Sequence, residues 1–287
     1  METYTVNPGP KAEDPVLLAK LYQLFRDYFR LAEKKRRWSV DDDIPWDQCN
    51  RGLQGVVADV VETFCAVELY LPDFLSKLIP QVRANRGRAW FLANWGYEES
   101  KHSMVLGDWL LKSHHRSDEQ MADLDTQIFA KEYKLPSDSA QGMLCYAMMQ
   151  ELATWLHYTH LRTIVKNLGG DPALDKVLLL ISIDERAHYD FFRKAVLLYL
   201  DYDREGTLEQ LRHVVYNFSM PAVDLLVDGR RRVETIRSLR IFDEEVFFLQ
   251  VVEPGLAALG LTKADLKQRK SKGQVVFVGG SQANLPG

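Results

Sequence analysis

Hydrophobic residues recur along this chain with helical spacing almost throughout. Between residues 53 and 82 they fall at Val57, Val61, Phe64, Leu71 and Leu75, one face of an α-helix. Similar patterns predict helices over about 14–38, 88–111, 118–133, 140–168 and 172–202, and further helices between 207 and 268. The first alternating run that suits a strand is 274–278. We therefore predict an all-α protein.

Capping residues mark several helix ends. Asp14-Pro15 and Asp171-Pro172 each place an N-cap before a proline in the first turn, and Gly169-Gly170 should end the helix before them. Pro72 should bend the helix that we predict over 53–82. No linker rich in glycine, proline or serine divides the chain, so we expect a single domain over 1–278 and a mobile tail over 279–287.

Acidic residues interrupt the apolar stripes of four predicted helices. Two copies of Glu-x-x-His occur, Glu99 with His102 and Glu185 with His188, and residues three apart share a helix face. A further glutamate lies 31 residues before the first copy and 34 before the second, which leaves room for a helix hairpin in each half. These glutamates are Glu68 and Glu151.

Burying four glutamates on apolar helix faces would cost too much free energy without nearby positive charge. Four carboxylates and two neutral imidazoles balance two divalent cations, and this ligand set suits iron or manganese. One glutamate from each of two helices, with Glu-x-x-His from each of two others, is a known dinuclear arrangement in four-helix bundles. We predict such a centre, with ligands Glu68, Glu99, His102, Glu151, Glu185 and His188.

Other acidic and histidine pairs compete with this assignment. Glu98 and His102 are also spaced for one helix face, but only Glu99 reproduces the spacing of the second motif, which leaves Glu98 as an outer-layer or surface residue. His157 and His160 are predicted to point away from the face of Glu151, as packing or surface residues. His114-His115 follows a helix end, where the helix dipole favours a cation.

Four segments resemble the soluble acyl-carrier-protein (ACP) desaturases of the ferritin-like superfamily. They are VELYLPDF (67–74), EESKH (98–102), QELAT (150–154) and DERAH (184–188), with weaker similarity at 220–222 and 228–230. The resemblance implies a ferritin-like four-helix bundle with additional packing helices and two ferrous ions held by the six ligands above. Two departures from the family pattern, Leu69 after Glu68 and Ala187 between Glu185 and His188, remove no ligand.

The resemblance also implies roles for residues outside the ligand set. Thr154, one turn after Glu151, would stand beside the oxygen-binding side of the centre. Asp184 would accept a hydrogen bond from a ligating histidine, and Trp38 would end that chain as an electron relay.

The function implied is desaturation of a saturated acyl chain on ACP with O2 and two external electrons. A ferredoxin-type donor and a homodimer follow from the same resemblance. The ligands do not separate this from another di-iron oxygenase, a hydroxylase or N-oxygenase, and a non-catalytic ferritin-like iron- or ligand-binding protein is a third possibility. An acyl substrate requires an apolar channel. The candidate wall residues suit plain core packing equally well, and core is the better expectation for any one of them; they are Leu71, Met104, Met148, Trp155, Ile181 and Phe192.

Composition narrows the class of protein. Hydrophobic residues make up 46% and charged residues 26%, with a net charge of −4, which argues against a nucleic-acid binder. Three separated cysteines suggest neither disulfides nor a zinc site. Without a signal peptide at residues 1–4 or an apolar run of about 18 residues, we expect a soluble cytoplasmic protein. Candidate basic surfaces for acidic ACP are 34–37, Arg83 with Arg86 and Arg88, and 230–232, and each is equally explained as a solvated helix end.

Overall fold

The structure is a computed structural model, and it describes residues 13–267. Helices dominate this part of the chain, and no β-strand occurs within it, so the predicted all-α class is confirmed. The longer helices are α1 (Pro15–Lys35), α2 (Gly55–Glu68), α3 (Leu71–Gln81), α4 (Arg86–Lys112), α5 (Asp118–Phe129), α6 (Ala140–Asn167), α7 (Pro172–Tyr202), α8 (Arg204–Asn217) and α9 (Gly229–Ser238). A short helical stretch follows, as Glu244–Val246, a π-helical turn Phe247–Val252, and Glu253–Ala257.

Four helices, α2, α4, α6 and α7, form the central bundle. α6 packs along α7, α2 packs along α4, and α4 also contacts α7. The remaining helices pack outside: α1 on α4 and α7, α3 on α4 and α6, α8 on α6 and α7, and α9 on α2. The predicted segment 274–278 and the tail 279–287 lie outside the described residues.

The predicted caps explain where the helices begin and end. Asp14 accepts from the backbone N–H of Val16 at 2.7 Å at the start of α1, and Asp171 accepts from that of Leu174 at 2.8 Å in α7. Gly169 and Gly170 adopt positive φ, 107° and 77°, after the end of α6. These signals act between residues only two or three positions apart in the sequence.

One predicted helix is two helices in the structure. The pattern over 53–82 predicts a single bent helix, but α2 ends at Glu68 and α3 begins at Leu71, with Pro72 in its first turn. The chain breaks because proline is accommodated in a first helical turn more easily than within a helix. Glu68 is therefore the last residue of α2. The helix predicted over 118–133 also ends earlier, at Phe129.

The hydrophobic core has two parts, one toward each end of the bundle. One part contains the α4 residues before the first Glu-x-x-His motif and the α7 residues after the second. The other contains the α4 residues after the first motif and the α7 residues before the second. The acidic side chains therefore lie between two apolar cores.

Gly87 allows α1 and α4 to approach closely. A Cβ at this position would lie 2.5 Å from the backbone carbonyl carbon and oxygen of Leu21, which cannot move without shifting α1. We expect Gly87→Ala to lower the free energy of unfolding in urea by about 2–3 kcal/mol. Gly107→Ala, also in α4, is the matched control, because its Cβ would meet nothing closer than 3.8 Å and alanine favours the helix. Equal stability of the two variants would contradict this prediction.

Candidate metal centre

All six predicted ligand side chains converge in the middle of the bundle. Their ligand atoms form two overlapping groups, within each of which all atoms lie within 4.8 Å of one another. One group contains Glu68, Glu99, His102 and Glu185, and the other contains Glu99, Glu151, Glu185 and His188. Glu99 and Glu185 belong to both groups, which places them between two cation positions. The assignment of these side chains as ligands stays a prediction.

Each helix contributes its part of the cluster for a local reason. Glu68 ends α2, whereas Glu99 with His102, and Glu185 with His188, each lie one helical turn apart on the inward face of their helix. All six side chains except Glu68 are buried; Glu68 is partly exposed to the cavity described below. Glu98, the competing residue of the first motif, lies outside both groups.

The two histidines present the same nitrogen to the cluster. His102 Nδ1 lies 3.1 Å from Glu99 and 3.3 Å from Glu185. His188 Nδ1 lies 2.9 Å from Glu99 and 3.4 Å from Glu151. The Nε2 atoms turn outward, that of His188 to Glu98 at 2.9 Å and that of His102 to Asp184 at 3.6 Å. Outer carboxylates of this kind fix the tautomer that leaves Nδ1 free for a metal.

The expected chain from the cluster to Trp38 is present. Trp38 Nε1 donates to Asp184 at 2.8 Å, and Asp184 faces His102. Arg36 donates to the other oxygen of Asp184 at 2.7 Å. Trp38 is 8% exposed, so the chain leads from the cluster almost to the surface. Its role in electron transfer stays a prediction.

An equivalent network surrounds the second histidine, and the sequence analysis did not predict it. Glu98 is 1% exposed, which excludes the surface alternative. It accepts from Arg37 at 2.7 Å and from the hydroxyl of Tyr28, besides facing His188. The signal in the sequence is that an acidic residue, Glu98 or Asp184, precedes each Glu-x-x-His motif. Each acid serves the histidine of the other motif.

The electrostatics of this outer layer differ from those of the inner cluster. Burial by itself would raise the pKa of Glu98, but the contact with His188 and the charge of Arg36 lower it to about 2. Burial and the neighbouring Glu99 instead raise the pKa of Glu68 to about 8. Two arginines, Arg36 and Arg37, thus compensate the outer acids, whereas no lysine or arginine of residues 13–267 pairs with the inner carboxylates.

The buried oxygen and nitrogen atoms of the six predicted ligands are better satisfied by metal ions than by hydrogen bonds to one another. Glu99 Oε1, Glu185 Oε2 and His188 Nδ1 are buried and have no hydrogen-bond partner among the described residues. Glu99 Oε1 and His188 Nδ1 are 2.9 Å apart, yet not in hydrogen-bond geometry. Orphaned buried acceptors are costly, and carboxylate oxygens with imidazole nitrogens are the donors that a divalent transition metal binds. The cluster therefore suits a two-metal site.

We expect Glu98→Gln to weaken metal binding about 10- to 100-fold, because the variant holds His188 with a poorer acceptor. Glu33→Gln is the control, since Glu33 also contacts Arg37, at 2.6 Å, but is half exposed and distant in the network from His188. Titration against a competing chelator measures both affinities. An unchanged affinity in the Glu98 variant would refute the role of the outer carboxylate.

Two further residues hold cluster carboxylates and were not predicted. Trp95 Nε1 donates to Glu151 Oε1 at 3.1 Å, and the Tyr158 hydroxyl donates to Glu68 Oε1 at 2.6 Å. Both residues lie on apolar helix stripes, where an aromatic residue ordinarily indicates only packing. Their polar function becomes visible only once the helices are assembled.

A cavity of about 710 Å³ borders the cluster. Its inner wall includes Glu68, Glu99, Glu151 and Glu185, and the predicted Thr154 also lines it. Apolar walls come from α2, α6 and the segment 218–247, with Phe64, Val67, Phe218, Met220, Ile236, Phe242 and Phe247. A space for an organic substrate therefore lies directly beside the candidate metal centre.

The candidate wall residues were wrong as walls of the cavity, and the alternative of core packing holds for Met148, Ile181 and Phe192. None of Leu71, Met104, Met148, Trp155, Ile181 and Phe192 borders this cavity. Met104 is 55% exposed, Met148 and Ile181 are fully buried in the core, and Phe192 borders a separate small void. The candidates lie close in sequence to predicted metal ligands, but sequence proximity does not indicate which side of the bundle contains the cavity. Among the described residues, those of the segment 218–247, far along the chain, line that side of the cavity.

The outer wall of the cavity is formed by α9, which buries none of its residues. Arg230, Val233, Glu234 and Arg237 lie on the face of α9 that borders the cavity. Ion pairs hold this helix: Arg232 contacts Glu62 at 2.6 Å, and Arg237 contacts Glu244 at 2.5 Å. The mouth of the cavity is therefore charged, in contrast to its apolar interior.

The chain matches the sequence profile described as fatty acid desaturase over residues 68–247, more than half of its length. The chain belongs to the fatty acid desaturase family. The matched range includes every predicted metal ligand and the segment that closes the cavity. No curated protein matched the chain in sequence. Of the predicted metal-ligating and catalytic residues, Trp38 alone lies before the range.

Solved structures share the fold. One is DesA2 of Mycobacterium tuberculosis H37Rv, assigned as an acyl-ACP desaturase, with a TM-score of 0.65, 19% identity, and coverage of 86% of this chain and 95% of that chain. Another is a variant of an R2-like ligand-binding oxidase with a Mn/Fe cofactor, at a TM-score of 0.55, 17% identity, and 88% and 94% coverage. The desaturase family member described here therefore has the predicted ferritin-like fold.

Not all predicted surface features are at the surface. Arg88 is buried and donates to Tyr199, and Arg36, Arg37 and Arg232 contact internal acids, so each predicted basic cluster is partly structural. Within residues 13–267, no helix combines the length and apolar character that crossing a bilayer requires.

Proposed function

We propose that this chain is an iron-dependent oxidoreductase that introduces a double bond into a saturated acyl chain carried on ACP, using O2 and two external electrons. One observation carries the proposal: a buried cluster of four glutamates and two histidines, suited to two divalent metals, borders a large and largely apolar cavity. Membership of the fatty acid desaturase family supports the same reaction.

Iron bound by the cluster would supply the activation of O2 that removes hydrogen from an unactivated methylene, which side chains cannot do alone. Glu68, Glu99, His102, Glu151, Glu185 and His188 would hold the two ions. The remaining tasks belong to the protein. Asp184 and Glu98 orient the histidines, and Trp95 and Tyr158 orient two of the carboxylates.

The cavity decides which carbons react. Only methylene groups within about 3–3.5 Å of the reacting centre are in a near-attack arrangement. The apolar walls bind the chain and exclude water, while Thr154, one turn from Glu151, lines the cavity near the cluster. Double-bond position would thus follow from how deeply the chain enters. Electrons would arrive through Trp38 and Asp184 from an external ferredoxin-type donor.

Arg230 and Arg231 support an acidic carrier as partner. Both are exposed, and Arg230 also lines the cavity. Of the three basic clusters, this one combines exposed arginines with direct access to the cavity, so we favour it as the docking surface for ACP. We also propose that the protein is a homodimer, as the resemblance to the acyl-ACP desaturases implies.

Turnover with defined substrates tests the proposal. The iron-loaded, reduced protein is incubated with stearoyl-ACP and palmitoyl-ACP in the presence of O2, and the products are analysed by mass spectrometry. We expect loss of two mass units from the acyl chain, abolished in Glu99→Ala. A gain of one oxygen atom would establish a hydroxylase instead. Absence of turnover with any acyl-ACP would overturn the acyl substrate.

A further inference from the structure

His157 differs from the threonine and tyrosine side chains on the wall of the cavity, whose hydroxyl groups are hydrogen-bonded. The Thr154 hydroxyl donates to the carbonyl of Gln150 at 2.8 Å, the Thr63 hydroxyl to that of Asp59 at 2.7 Å, and Tyr158 to Glu68. His157 lines the same cavity and is 5% exposed, but its Nε2 is buried and has no hydrogen-bond partner among the described residues. An unpaired buried polar group of this kind costs stability.

The surroundings of His157 are aromatic rather than polar. Its ring stacks on Phe64 at a centroid distance of 5.6 Å and meets Phe242 edge-on at 4.4 Å. Burial lowers the pKa of His157 to about 3, so the imidazole is neutral at ordinary pH. A neutral imidazole offers one N–H donor and one nitrogen acceptor. A bare ionic group would be poorly accommodated between these two rings.

The position of His157 relates it to the candidate metal centre. The α6 residues that line the cavity are Gln150, Glu151, Thr154, His157 and Tyr158. His157 follows Glu151 by six residues, which is about 9 Å along the helix axis. The sequence analysis placed His157 away from the face of Glu151, but the cavity is wide enough to include it. His160, three residues on, does not border the cavity, and its Nδ1 lies 2.8 Å from the carbonyl oxygen of Ile241.

We propose that His157 is a hydrogen-bonding subsite of the cavity that binds a neutral polar group, a carbonyl or hydroxyl, of the organic substrate. This inference rests on the proposed function, because it takes the cavity to be the site of an acyl substrate. The group is either the thioester carbonyl, which would set the distance from the carrier end of the chain to the metals, or an oxygen substituent on the chain itself. In both cases His157 would determine the register of the chain beside the cluster.

The affinity of metal-loaded protein for pantetheine derivatives tests the subsite. Three probes are compared: a saturated acyl thioester, the corresponding alkyl thioether without the carbonyl, and thioethers with a hydroxyl at successive chain carbons. We expect His157→Leu to weaken binding of one of the polar probes about tenfold and that of the plain thioether less than twofold. His157→Gln, which keeps a hydrogen-bonding group, should restore most of the affinity.

The probe that responds identifies the group. A loss confined to the thioester indicates the carbonyl, and a loss confined to one hydroxylated thioether indicates a chain substituent. His160→Leu is the matched control and should change no affinity, since His160 lies outside the cavity. Equal affinities of wild type and His157→Leu for every probe that binds would overturn the subsite.

Stability without an organic ligand provides an independent test. If His157 is retained for binding, an apolar replacement removes an unpaired polar group from the protein interior. The more stable of His157→Leu and His157→Phe should then have an unfolding midpoint equal to that of wild type or up to about 2 °C higher. His160→Leu should lower the midpoint, because it breaks a satisfied contact. If both His157 variants lower it more than His160→Leu does, the imidazole is structural and the subsite is refuted. Failure of every probe to bind wild type would defeat the acyl substrate alone, and this stability comparison then decides the subsite.

Discussion

Alanine at Glu99 or Glu185 should abolish binding of both metal ions, whereas alanine at Glu68 or Glu151 should abolish binding of one. The reason is geometric: Glu99 and Glu185 belong to both groups of ligand atoms, while Glu68 and Glu151 each belong to one. Loss of a shared carboxylate also leaves the other buried groups without charge balance. We expect about two metal ions per wild-type chain, about one in the Glu68 and Glu151 variants, and almost none in the other two.

Elemental analysis after reconstitution and gel filtration measures the stoichiometry. Glu33→Ala serves as the control, since Glu33 is half exposed and outside the cluster. Circular dichroism must show native helix content in each variant, so that lost metal is not lost fold. Unchanged metal content in both Glu151→Ala and Glu185→Ala would refute the ligand assignment. One ion remaining in Glu99→Ala would refute only its shared position.

Metal-free protein should lose stability as the pH rises from about 5 to 8.5, whereas metal-loaded protein should not. Without metal, burial and then Glu99 raise the pKa of Glu68 to about 8 from an ordinary 4.5. An acid whose folded pKa is raised contributes stability that is fully present below its unfolded pKa and is lost as the pH rises through the folded value. The window for Glu68 is therefore about pH 4.5 to 8.

The neighbouring groups act in the same direction above neutral pH. Burial alone would lower the pKa of His102, but Glu99 and the other nearby acids raise it well above 6.5. This stabilisation is present below the unfolded pKa and is lost at higher pH. On the acidic side Glu98, with its pKa lowered to about 2, contributes stability that is lost as the pH falls below about 4.5. Metal-free protein should thus be most stable near pH 5.

Thermal unfolding across this pH range measures the effect. We expect the midpoint of metal-free protein to fall by about 5–10 °C between pH 5 and pH 8.5, an amount reduced by water that reaches Glu68 from the cavity. In the loaded protein, metal ions take the place of these protons, and binding strengthens as the ligands deprotonate. The difference in unfolding midpoint between metal-loaded and metal-free protein should therefore be largest at pH 8.5. Parallel pH profiles for the two forms would contradict a metal-replaces-proton site.

Local signals predicted the helices well because they act within a few residues. Helix ends are set by capping residues that contact only their neighbours in sequence, as at Asp14, Asp171 and the Gly169-Gly170 pair. The helix over 53–82 was the main error, and its cause is also local: Pro72 was interpreted as a bend, although proline is better placed in the first turn of a new helix.

The inner residues of the candidate centre could be predicted because charge on an apolar stripe is so unfavourable that it needs a reason. Repetition of the Glu-x-x-His spacing selected Glu99 over Glu98, and the structure places Glu99 in the cluster. The partners of the outer carboxylates could not be predicted in this way. Tyr28 in α1 and Arg37, two residues after the end of α1, reach Glu98 from about 60 to 70 residues away in sequence, and such contacts leave no periodic signal.

Periodicity, caps and the paired motifs were sufficient to establish an all-helical chain and the six side chains that meet at its centre, since both depend on spacings within single helices. The location of the cavity, the internal contacts of Arg36, Arg88 and Arg232 and the place of His157 on the cavity wall were decided by how distant segments pack. Helix α9 and the segment around Phe242 are distant in sequence from the metal-ligand helices, and folding brings them to the wall of the cavity beside the candidate metal centre. Side-chain spacing along a helix defines a face, but only packing decides what that face meets.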